Sequence, residues 1–163
     1  MTEPNRMDDV DTFMARAIAI AIENVRSGRG GPFGCLIVKD GKVVAEGVNQ
    51  VTATNDPTAH AEVSAIRQAC QNLYCFELSG CELYTSCEPC PMCLSAIYWA
   101  RIDKIYFGGL AEDAAKAGFD DSAIHAEIAR PLTQRKVPMM QLMRLEALEA
   151  FRVWEENPGK ILY

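Results

Sequence analysis

The chain is short of positive charge: its 163 residues carry 16 lysines and arginines against 22 aspartates and glutamates, a formal net charge of -6. No local cluster of basic residues offsets that balance, so the footprint that grips a phosphate backbone is missing and a small neutral partner is expected, with neither nucleic acid nor membrane. Long apolar runs are absent too, none reaching the ~20 residues needed to cross a bilayer. No secretory h-region opens the chain, which makes the cytoplasm the expected location. Histidine occurs only at His60 and His125, and the second falls in a surface helical stretch with no assigned role. Repeats, low-complexity tracts and linkers are missing as well, so residues 1–163 are expected to form a single domain. What is present describes a globular chain, 49% hydrophobic and 23% charged. Seven cysteines are an odd number and read as metal ligands plus buried thiols rather than disulfides.

Periodicity supplies the coarse layout. Met1 to Met7 read as a loose polar start, and from about Asp9 a helix is predicted, with Val10, Phe13, Met14, Ala17, Ile18, Ala21, Ile22 and Val25 as its core stripe. Asp8, Asp9 and Asp11 supply its cap and dipole partners. Ser27, Gly28, Gly30 and Gly31 end it in a turn that lets backbone approach a ligand. Cys35 to Lys39 and Lys42 to Val48 are β-prone runs around Asp40-Gly41, a tight hairpin signal. A polar loop, Asn49 to Thr58, delivers His60 to a helix from Ala59 to about Asn72 that buries Val63, Ile66, Ala69 and Leu73. Strands at Glu82 to Thr85 and Ile102 to Phe107 flank a helix from Met92 to Ala100, an alternation that predicts parallel strands with crossovers. Beyond them, helices are predicted over Ala111 to Ala117, Ser122 to Ala129 and Glu146 to Asn157, with a strand over Met139 to Leu145. The apolar tail Ile161, Leu162, Tyr163 is expected to pack rather than hang in water.

The residues that carry chemistry lie between His60 and Cys93. His60, Ala61, Glu62 and then Pro89, Cys90, Pro91, Met92, Cys93 resemble the H-x-E and P-C-x-x-C signature of zinc-dependent nucleobase deaminases. Cys90 and Cys93 share one side of a helix opening, where the positive end favours thiolates. The same end effect at the helix after His60 predicts a neutral imidazole. One histidine and two cysteines leave a coordination position for water, as working zinc sites do, and Glu62 is placed to carry protons without being a ligand. Cys87, three residues before Cys90, leaves an alternative open: a closed four-ligand site in a non-catalytic interaction module.

The runs NDPTAHAEVSAIR, YTSCEPCPMCLSAIYWAR and AGFDDS together resemble the bacterial guanine deaminases of the cytidine-deaminase-like superfamily, from about Phe13 to Tyr163. That resemblance implies an α/β chain with a three-layer α/β/α fold and a five-stranded mixed sheet. It implies zinc held by His60, Cys90 and Cys93, with Glu62 shuttling protons during hydrolysis of free guanine. It further implies that Asn49 and Phe33 contact the base, that Trp99 lines the pocket, and that Asp121 assists recognition or proton transfer. A homodimer is implied, its C-terminal segments (158–163) exchanged so that Tyr163 closes the partner's pocket. An amide and a carboxylate suit a base with a ring N–H beside an exocyclic amine. Other readings of the same residues stand beside these: Asn49 capping a turn, Asp120 or Asp121 capping a helix, Phe33 and Trp99 as core. A tRNA adenosine deaminase shares the metal motifs and is the enzymatic rival.

Overall fold

The computed structural model describes residues 6–163, with side chains from Asp9 onward; the expected loose start lies outside these at 1–5, and so does the capping role of the Asp8 side chain. The first helix, α1 (Arg6–Arg26), begins before Asp9. It is followed by β1 (Gly34–Lys39), β2 (Lys42–Val48), a short α2 (Val51–Thr54), α3 (Ala61–Leu73), β3 (Cys81–Cys87), α4 (Pro91–Trp99), β4 (Lys104–Gly109) and α5 (Ala111–Lys116). These belong to a first compact unit that ends at Asp121.

Four strands form one mixed sheet among the described residues, in the order β2-β1-β3-β4. The hairpin at Asp40-Gly41 is as expected: both residues have positive φ (50° and 71°), matching the twist of the antiparallel strands they join. β1 also runs antiparallel to β3, and only β3 and β4 pair in parallel, joined through α4. Parallel pairing is thus confined to β3 and β4, because β1, reversed by its two-residue turn into β2, lies between β2 and β3. β2, β3 and β4 nevertheless point the same way, so their carboxyl ends share one edge, and α3 and α4 start just beyond it. That edge is where an open α/β sheet places its ligands.

Strand alternation divides the core. Leu36, Val38 and Tyr84 face α1, packing with Ala17 and Ile20, while Cys35, Ile37, Leu83 and Ala45 face Ala61, Ala65, Ala69 and Ile97 of α3 and α4. Two predicted faces hold in part: Val10, Phe13, Met14, Ala17 and Ala21 of α1 and Ile66, Ala69 and Leu73 of α3 do meet the core or are buried. On α1 the buried residues are Ala17, Ile20, Ala21 and Asn24, whereas Ile18, Ile22 and Val25 remain 40–49% exposed. On α3 it is alanines, not Val63, Ile66 or Leu73, that are fully buried. Small residues win there because the helix lies very close to β2. A Cβ on Gly47 would stand 2.2 Å from the Ala61 carbonyl oxygen and 2.5 Å from the Ala65 nitrogen, so only glycine permits this approach.

The second unit, 122–163, holds α6 (Ser122–Ala129), a 3-10 turn (Leu132–Gln134) and α7 (Arg144–Glu156). The expected fifth strand at Met139 to Leu145 is a correction: the segment is irregular, Met143 adopts a left-handed conformation (φ 50°), and α7 begins at Arg144. A β-prone run becomes a strand only when a sheet edge pairs with it, and among the described residues none does. Neither α6 nor α7 contains a buried residue. No described helix is long and apolar enough to cross a membrane.

Candidate metal centre

Two helix starts build the centre. The loop before α3 is held by its own hydrogen bonds: Asp56 Oδ1 accepts from the Thr58 backbone N–H at 2.8 Å and from the Thr58 hydroxyl at 2.7 Å, and Gln50 N–H donates to Ala59 O at 2.9 Å. The loop ends with His60 in extended conformation (φ -70°, ψ 160°) as the N-cap of α3. Cys90 is the corresponding N-cap of α4 (φ -64°, ψ 167°), with Pro91 as a first helical residue that needs no N–H partner. Cys93 follows one turn later and is fully buried.

His60 Nδ1 lies 3.5 Å from the sulfur of Cys90 and 3.5 Å from that of Cys93. With zinc–sulfur bonds of about 2.3 Å and zinc–nitrogen bonds of about 2.0–2.1 Å, a tetrahedral site has sulfur–nitrogen edges of about 3.6 Å, so these three groups fit zinc as they stand. Among the described residues they are the one such cluster. Cys87 is not part of it: its thiol donates to the Leu110 carbonyl at 3.7 Å. Three protein ligands therefore leave a fourth position, as the open-site reading requires, and the closed four-ligand alternative loses its fourth donor.

Glu62, 6% exposed in the first turn of α3, reaches the same point from a different side. Its carboxylate accepts from the Cys93 thiol at 3.3 Å and from the Thr85 hydroxyl at 3.2 Å. Burial raises its pKa above the usual carboxylate range. Cys90 is pulled down to about 4, first by the hydrogen bond it receives from Cys93 and then by His60, while the same bond and burial push Cys93 up. Hydrogen bonding to Cys90 raises the His60 pKa from its ordinary value, against the lowering effect of burial.

The other expected site residues are placed unevenly. Asn49 is 7% exposed at the end of β2, and its Oδ1 accepts from Gly31 N–H at 3.4 Å and Val51 N–H at 3.3 Å, the turn-capping role. Its own N–H donates to the Phe33 carbonyl at 3.1 Å, so these two are brought together. Phe33 is half-buried against the core and meets Phe119 edge-on, with ring centroids 5.0 Å apart. Asp121 is half-buried at the last position of the first unit, beside exposed Asp120. Trp99 is 71% exposed and lines a hollow with Ser95, Tyr98 and Arg101, none of them in the metal cluster. Tyr163 belongs to the second unit and is 73% exposed.

Two residues escaped sequence reasoning. Thr85, 1% exposed, is the polar residue on the buried face of β3 that also carries Leu83, an interruption visible in the strand's alternation. Asn24 sits on the true buried face of α1, fully enclosed, and its amide donates to the Gly31 carbonyl at 3.0 Å and the Asn49 carbonyl at 2.8 Å. The glycine turn packs closely on the protein itself, since a Cβ on Gly30 would lie 2.2 Å from the Asn49 oxygen. Asn24→Leu strips the buried Asn49 carbonyl of its side-chain donor, while the Gly31 carbonyl keeps the Phe33 N–H at 2.9 Å, and is expected to cost about 1–3 kcal/mol in urea denaturation. A loss under about 1 kcal/mol would show that the turn holds without it.

Residues 7–109 match the family described as the cytidine and deoxycytidylate deaminase zinc-binding region. The chain is 53% identical over 153 residues to the guanine deaminase of Bacillus subtilis (strain 168), covering 94% of this chain and 98% of that one. The crystal structure of guanine deaminase from Bacillus subtilis superposes with a TM-score of 0.92 over the same shares of the two chains. Similarity to the tRNA-specific adenosine deaminase of Aquifex aeolicus (strain VF5) is 47% over 79 residues, 48% of this chain and 52% of that relative.

Proposed function

We propose, for a chain that belongs to the cytidine and deoxycytidylate deaminase zinc-binding family, the hydrolytic deamination of guanine: guanine and water give xanthine and ammonia. The observation that carries the chemistry is the buried Glu62 carboxylate, 3.3 Å from Cys93 yet outside the ligand set. Zinc, held by His60, Cys90 and Cys93, supplies a Lewis acid that makes water nucleophilic at neutral pH. Glu62 accepts one water proton as oxygen attacks the carbon bearing the amine and passes it to the ring nitrogen, then takes the remaining proton of the added hydroxyl and delivers it to the departing amine. Thr85 fixes one oxygen of that carboxylate and leaves the other toward the metal side. The choice of guanine rests on similarity that runs through almost the whole chain, where likeness to the tRNA-specific enzyme spans half of it.

In this reading Asn49 and Phe33 contact the base, Asp121 assists recognition or proton transfer, and Trp99 lines the pocket. The hydrogen bond from Asn49 to Phe33 supports a joint role for the first two. The working form is a cytoplasmic homodimer of single-domain chains, with C-terminal segments exchanged and Tyr163 closing the partner's pocket. What supports exchange is the second unit's apolar surface: Leu145, Phe151, Val153, Ile161, Leu162 and Tyr163 are each more than half exposed, a surface that requires cover.

An ammonia-release screen of free bases, nucleosides and tRNA with the zinc-loaded protein tests the substrate. Guanine is expected to be turned over fastest; release from tRNA with none from guanine would overturn the proposal. Deleting residues 160–163 is expected to lower guanine turnover at least tenfold while shifting the melting temperature little. Equal loss of both, or of stability alone, would reduce the tail to packing.

A further inference from the structure

We propose that Cys70 and Cys75 form a redox-modification site, a dithiol that hydroperoxides convert into an intramolecular disulfide. Neither thiol belongs to the metal cluster. The end of α3 is a Schellman turn: Tyr74 is left-handed (φ 51°), its N–H donates to the Gln71 carbonyl at 3.3 Å, and the Cys75 N–H reaches back to the Cys70 carbonyl at 3.1 Å. In this turn the side chains on either side of the left-handed residue, at the two positions joined by the longer hydrogen-bonded loop, pack on one another, ordinarily as an apolar pair. Here both are cysteines. The 3.1 Å bond limits their separation: covalent geometry through it keeps the two Cα atoms within about 7 Å, and any bend at the nitrogen brings them into the ~4.4–6.8 Å that a disulfide spans.

The two thiols are also unequal, as a reactive and a resolving cysteine must be. Cys75 is exposed, and the Glu77 N–H donates to its sulfur at 3.4 Å, fixing the sulfur against the turn. Cys70 is half-buried, and its pKa is raised first by burial and then by the charge of Cys75, so each sulfur lies within the field of the other. The Cys75 thiolate attacks the peroxide: a sulfur–oxygen bond forms, the oxygen–oxygen bond breaks, and one water leaves after protonation. The Cys70 thiolate then attacks the Cys75 sulfenic acid, forming the sulfur–sulfur bond and releasing the second water. The two sulfurs give up two electrons and hydrogen peroxide becomes two waters. Ten residues of α3, about 15 Å of helical rise, separate Cys70 from His60, and Cys75 lies beyond the helix end, so oxidation proceeds with zinc in place.

The test uses zinc-loaded protein treated with hydrogen peroxide, alkylated and cleaved after glutamate. The fragment 63–77 contains Cys70 and Cys75 and no other cysteine. It is expected to be lighter by two hydrogens and closed to alkylation at both positions until dithiothreitol reopens them together. In Cys75→Ser, loss of Cys70 alkylation should slow at least tenfold; in Cys70→Ser, oxidation should stop at a Cys75 sulfenic acid that dimedone traps. Two alkylatable thiols after peroxide, direct passage to sulfinic acid, or a bridge from Cys70 to Cys81 would each overturn the proposal.

Discussion

Glu62→Gln is expected to lower kcat for guanine by about 10²–10⁴-fold, the range that a positioned proton carrier contributes, while zinc stays at one ion per chain. Glutamine keeps the size of the side chain and an oxygen for the Thr85 hydroxyl, which donates at 3.2 Å, and turns an amide N–H toward the Cys93 sulfur, 3.3 Å from the native carboxylate. What it removes is the ability to take a proton from water and return it to the leaving amine. Metal content by atomic emission and steady-state ammonia release on the same sample separate this from loss of the site. A zinc-loaded variant within a fewfold of wild type would show that protons travel by another group. Burial penalises the ionised carboxylate in the native chain, so the variant should unfold no more easily than the parent.

Gly47→Ala should cost about 1–3 kcal/mol of stability, the usual range for overpacking, and at least tenfold in kcat/KM. The added Cβ would lie 2.2 Å from the Ala61 carbonyl and 2.5 Å from the Ala65 nitrogen, so it meets helix backbone rather than a side chain that can swing away. Relief requires α3 to shift off β2, and α3 carries His60 at its cap and Glu62 in its first turn. Gly28→Ala is the control: unlike Gly47 it has a positive φ (71°), but nothing lies within 4 Å of the added Cβ, so it should cost only about 1 kcal/mol and leave activity intact. Urea denaturation and kcat/KM on both variants check the contrast. An unchanged kcat/KM in Gly47→Ala would mean that the site tolerates movement of α3.

The metal ligands were legible because their spacing is short and the rules behind it are local. Cys90 and Cys93 fall at one turn of a helix whatever surrounds them, and Asp40-Gly41 turns the chain because both residues accept positive φ. The face of α1 was legible only as a period. Its phase, with Ile20 and Asn24 inside and Ile22 and Val25 outside, depends on the sheet it meets. Trp99 shows the same limit: whether an aromatic residue is core depends on what packs over it, and Trp99 stands 71% exposed beside Ser95 and Tyr98.

Taken alone, the order of residues determined the chemistry available here: three zinc donors, one carboxylate two residues after the histidine, and helices that begin at both. Tertiary structure decided how that chemistry is held. It set Thr85 against Glu62 and Asn24 against the Asn49 carbonyl, turned Cys87 away toward Leu110, and left Met139 to Leu145 outside the sheet. The reason is physical: backbone periodicity and turn preferences act between neighbours in the chain, whereas a buried hydrogen bond or a paired strand exists only when a distant segment arrives to complete it.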